Sequence, residues 1–296
     1  FFFDLVDIEN NPARDTLIFT QPSEAQNYPM EPGHSTFARL APTVSSTLVE
    51  LVCGCEVEDA NHIDADYSGL FRRLRKDIEL IHLQIAAIID NNQQISAAAV
   101  FPFLCRKFLE TSLTSILARI DPLRVLAVRK HQKLENYDHG KPNVSSISWT
   151  GDILPAEKPP NSSDIWDSAS LKKGTERSLL GWHIGNAVFD PGLRWIVDNS
   201  ATTSDWIRKL SEPENPFAWI KGSIGPIYST LSKGVHAEDL LDEEVAFDDA
   251  SIRQLVSDSY MLVFLLSAAT HATPYFVRPM RPVVALTHLD DKARIF

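Results

Sequence analysis

Cysteine is scarce: three thiols occur in 296 residues, Cys53, Cys55 and Cys105. An odd number without regular spacing is no disulfide framework, and it favours a reducing compartment, so a cytoplasmic setting is expected. The CGC at 53–55 has no second Cys/His pair at zinc spacing, which argues against a structural metal. Basic residues are outnumbered, with 28 Lys and Arg against 39 Asp and Glu and a net charge of −11. Phosphate binding needs clustered cations, so a broad sequence-independent grip on nucleic acid is disfavoured, while a local basic groove stays open. Apolar runs fall short of the ~18 residues that cross a bilayer, so no membrane span is expected. The densest, YMLVFLL at 260–266, covers about two helical turns and reads as a buried core helix. The opening FFF is too short for the core of a signal peptide and carries no basic flank. A G-x-S-x-G nucleophile motif is absent. GSIG at 222–225 lacks the strand and the further glycines of a phosphate loop and reads as a turn. No cofactor is expected.

What is present is helical periodicity. Tyr67, Leu70, Phe71, Leu74, Ile78, Ile81, Ile85, Ile88 and Ile89 recur at steps of three and four, with Arg72, Arg73, Arg75, Lys76 and Glu79 on the other faces. This predicts a helix over about 67–91, begun near Asp64 or Asp66 and stopped at the DNN of 90–92. A second helix is expected over 96–120, followed by a turn at Asp121-Pro122 and a short helix through LRVLAVRKHQ. Helical signals return over 176–210, where Thr203 or Ser204 can cap TSDWIRKL, and again over 217–233 and 250–273. The fold class expected is mainly α, an antiparallel bundle. Residues 1–60, broken by Pro12, Pro22, Pro29, Pro32 and Pro42, read as an irregular N-terminal arm or cap with a strand at TLIF, 16–19. The helical domain over 61–296 carries a loop-rich insertion at about 134–172. The tail contains PVVAL at 282–286, expected as a short strand or extended arm.

Few residues suggest chemistry. YSTLSKGVH at 228–236 reads as a helix starting after Pro226 and closing near Gly234, a left-handed cap, with His236 beyond it. By itself this makes His236 a histidine favoured at the negative end of a helix dipole. Arg106 and Glu110 stand one turn apart in FLCRKFLETSLTSIL, 103–117, and share a helix face. His183, beside Trp182, is expected to be a packing residue. Arg119, Arg124, Arg129, Lys130 and Lys133 form a basic stripe that suits nucleic acid, an acidic partner or plain solvent. The acids from Glu238 to Asp249 read as a solvated loop that would repel RNA.

The segments 103–117 and 228–236 together resemble HEPN-like proteins, the all-helical superfamily of many prokaryotic toxins and anti-phage systems. The resemblance covers about a tenth of the chain. It implies that Arg106, Glu110 and His236 gather in one polar cluster, and that the protein pairs as a homodimer. Members that cut RNA hold an Arg with four to six residues between it and the His, so that the Arg stabilises phosphate charge while the imidazole moves protons without a metal. Here those positions are Ser229, Thr230 and Leu231. The scaffold without that Arg implies a non-catalytic interaction subunit of a defence or conflict system, with a protein partner such as an ATPase or a nuclease subunit. The alternatives are a metal-independent endoribonuclease using His236 with Arg106, and an unrelated helical binding protein.

Overall fold

The computed structural model describes residues 41–56, 65–90, 94–138, 140, 145–155, 178–201, 204–236 and 248–293, with backbone alone at 41–45, 90, 94–99, 236, 249 and 292–293. Ten helices account for most of them: α1 Ala41–Cys53, α2 Ala65–Asp90, α3 Gln94–Ile120, α4 Pro122–Gln132, α5 Trp182–Ile184, α6 Asp190–Asn199, α7 Asp205–Ser211, α8 Pro216–His236, α9 Asp249–His271 and α10 Pro282–Ala293. Wider π-type turns occur at Trp149–Ile153 and at Gly185–Phe189. No strand occurs among the described residues. The chain is a mainly α bundle, as its periodicity predicts.

The apolar pattern explains which helix lies where. From Tyr260 to Leu266 every side chain of α9 is buried, so over this stretch the helix has no solvent face and forms the centre around which the others pack. Phe108 of α3 stacks on Tyr260, ring centroids 4.3 Å apart. Eleven residues further along, the Arg119 guanidinium reaches the Thr270 hydroxyl at 2.6 Å, so α3 and α9 run in the same direction. His82 of α2 meets the Tyr260 hydroxyl at 2.8 Å, while Tyr67 and Phe71, at the start of α2, lie under Arg278, beyond the end of α9. The second helix therefore runs opposite to α3 and α9. The eighth also opposes α3: Phe217, in its first turn, stacks on Phe189, which packs on Phe276 beneath Arg119, whereas Tyr228 lies against Glu110.

Several local expectations are revised. Within the stretch read as an irregular arm, residues 41–53 form α1; Pro42 falls in its first turn, where a missing N–H is harmless, and Leu48, Leu51 and Val52 are buried in the core. The strand read at 16–19 lies outside the described residues. PVVAL opens helix α10, with Ala285, Leu286 and Leu289 buried at helical spacing. The 176–210 region is broken into α5, α6 and α7, and Ser204 caps α7 by accepting from the Ile207 N–H. Most informative is α8, which begins at Pro216 and runs through GSIG, Pro226 and Gly234 to His236. An interior proline costs about 3 kcal/mol. Burial of Phe217, Ile220, Ile224 and Leu231 along one face, each contributing ~1.5–3 kcal/mol, outweighs it.

Candidate functional site

The polar cluster begins on α3, where Cys105, Phe108 and Leu109 are buried and turn the Arg106–Glu110 face toward α8. Arg106 Nε donates to Glu110 Oε1 at 3.1 Å. The same oxygen accepts the Tyr228 hydroxyl at 2.7 Å, and the guanidinium carbon lies 4.9 Å from the centre of the Tyr228 ring. Glu110 thus ties two helices through one carboxylate oxygen, with the cation held by charge and by the ring's quadrupole together.

Trp149 closes the cluster, stacking on Tyr228 at a centroid separation of 3.7 Å and an interplanar angle of 7°. Its position follows from the WTGDI turn. Gly151 adopts φ 107°, a conformation that side-chain-bearing residues avoid, so the chain reverses sharply and Gly151 N donates to the Leu154 carbonyl at 2.6 Å. Asp152 is gripped by Arg124 and accepts the Ser148 N–H at 2.7 Å. The carbonyls of Asp152 and Ile153 accept the N–H groups of Leu179 and Leu180, both at 2.8 Å. These bonds join Asp152 and Ile153 to Leu179 and Leu180 and fix the indole over the tyrosine.

Burial and the Glu110 carboxylate push the Tyr228 phenol up to about 12. For Arg106, burial opposes the charge, but the hydrogen bond and charge of Glu110 outweigh it and the group titrates above its ordinary value. At neutral pH the cluster is therefore a charged pair with a neutral phenol. It can hold helices in register, and the cation is engaged from within the protein.

The structure brings Arg106 and Glu110 together as their spacing implies. Tyr228, the first residue of the stretch ending at His236, is the partner they share, and sequence reasoning did not assign it a role. His236 is the last residue of α8. Its backbone lies eight residues past Tyr228, about 12 Å along the axis, and its side chain lies outside the described residues. The acidic segment 237–247 lies outside them as well. His183 is half-buried edge-to-face with Trp182, in keeping with a packing role.

The expected basic stripe does not form as a unit. Arg119 is completely buried; Arg124 holds Asp152, Arg129 donates to the Asp66 carbonyl at 2.7 Å, and Lys133 pairs with Asp66. The Arg119 environment is a second polar cluster that the sequence did not announce. Its guanidinium donates to Thr270 Oγ1, to the Val277 carbonyl at 3.2 Å and to His271 Nδ1 at 3.1 Å. The carbonyls of Leu51 and Val52, at the end of α1, lie 3.5 and 3.4 Å away. Helices α1, α3 and α9 all point their C-termini here, so their negative dipole ends face the buried cation. His271 completes the arrangement. Its Nδ1 also accepts the Met280 N–H at 3.1 Å and its Nε2 faces the Leu51 carbonyl at 2.8 Å, a network that assigns the neutral Nε2–H tautomer. Burial, and after it the Arg119 charge, pull His271 down to about 3. Burial likewise lowers Arg119 to about 10, which leaves it charged at neutral pH.

Among the described residues, no group of three or more His, Cys, Asp or Glu side chains is placed to hold a metal ion, and no helix is long and apolar enough to cross a membrane. No protein-family model, no curated protein and no solved structure matches the chain.

Proposed function

We propose that the chain is a non-catalytic, HEPN-like interaction subunit of a prokaryotic anti-phage defence or conflict system, working through a protein partner such as an ATPase or nuclease subunit. One observation carries the non-catalytic reading. Arg106, the candidate to replace the arginine missing at 229–231, is committed to Glu110 and to the Tyr228 ring. A guanidinium held in that way contributes to helix packing, and diverting it to a phosphate would cost the Glu110 pairing. The place in a defence system rests on the resemblance of segments 103–117 and 228–236.

A second reading, a metal-independent endoribonuclease using His236 with Arg106, is supported by the antiparallel course of α3 and α8. From Tyr228 to His236 the eighth helix proceeds toward the start of α3, and Arg106 lies on that side of Glu110. General acid-base work by His236 would need the guanidinium within reach of the same phosphate.

The two readings are separated by incubating the purified protein, His236→Ala and Arg106→Ala with RNA in metal-free buffer, alongside co-expression with the products of neighbouring genes and measurement of complex mass. The expected result is no cleavage by any of the three and a complex of defined stoichiometry with a neighbouring product. Cleavage by the parent protein that His236→Ala abolishes establishes the ribonuclease instead. Absence of both cleavage and complex removes the subunit reading.

A further inference from the structure

We draw no further inference here: the strongest candidate, the apolar rim at the Arg119 end of the bundle where Leu123, Tyr275 and Val283 stand exposed, is an unpartnered face, and nothing in the structure shows what covers it.

Discussion

Acid should loosen the bundle through His271. The imidazole is buried, and its Nδ1 receives two donors, the Met280 N–H and the Arg119 guanidinium. A proton added there would face the charge of Arg119 and displace a backbone donor. The folded protein holds His271 down to about 3 against 6.5 for the free side chain, so the unfolded chain takes up the proton first. The stability that His271 contributes is therefore complete above about pH 6.5 and is lost as the pH falls toward about 3, at ~1.4 kcal/mol per pH unit within that window. Between pH 7.5 and 5 the loss is about 2 kcal/mol from this group. Urea unfolding followed by tryptophan fluorescence at pH 7.5, 6 and 5 measures it, with His271→Gln as the control. Glutamine retains a donor toward Leu51 and removes the titration. The variant is expected to be less stable at pH 7.5 by about 1–3 kcal/mol, for the acceptor lost to Met280, and to show a pH slope shallower by about 2 kcal/mol over the range. If the parent protein and His271→Gln lose stability in parallel, His271 is not the group that titrates, and the network around Arg119 has been read incorrectly.

Tyr228→Phe removes the hydroxyl from Glu110 and should lower the unfolding free energy by about 1 kcal/mol. A double-mutant cycle with Glu110→Gln should return a coupling of about 0.5–1.5 kcal/mol, whereas additive losses would show that the two do not interact. Among the described residues, two glycines with positive φ, Gly54 and Gly151, separate backbone strain from overlap. At Gly54, φ 78°, a methyl would collide with the Arg278 carbonyl, while at Gly151 it would meet open space. Gly54→Ala should thus cost more than about 3 kcal/mol and Gly151→Ala about 1–2, and thermal melts that rank them the other way would contradict this placement of Arg278. Burial pushes the Cys53 thiol up to about 11 and Cys105 up to about 12. In native protein at pH 8, iodoacetamide should spare both until the chain unfolds, with mass spectrometry reporting modified sites. Early labelling of Cys105 would show that the core of α3 opens.

How much of this was legible beforehand depends on the range over which each feature is decided. Periodicity over many turns determined α2, α3 and α9, because an apolar stripe at steps of three and four has one low-energy use, to face a core. The continuous run at 260–266 marked the central helix for the same reason. The Arg106–Glu110 pair was also legible, since i,i+4 spacing is local geometry. Local punctuation misled where burial overruled it. Pro226, Gly222 and Gly225 look like a turn, yet the apolar face from Phe217 to Leu231 keeps α8 continuous. PVVAL has the composition of a strand and packs as a helix. Tyr228 could not be assigned as the partner of Glu110, nor Arg119 as a core residue, because each depends on elements over a hundred residues apart meeting in space. Sequence alone determined the long helices α2, α3 and α9 and their apolar faces. The tertiary structure decided which polar side chains are enclosed and what satisfies them, because desolvation and hydrogen bonding belong to an environment that exists only once the helices have packed.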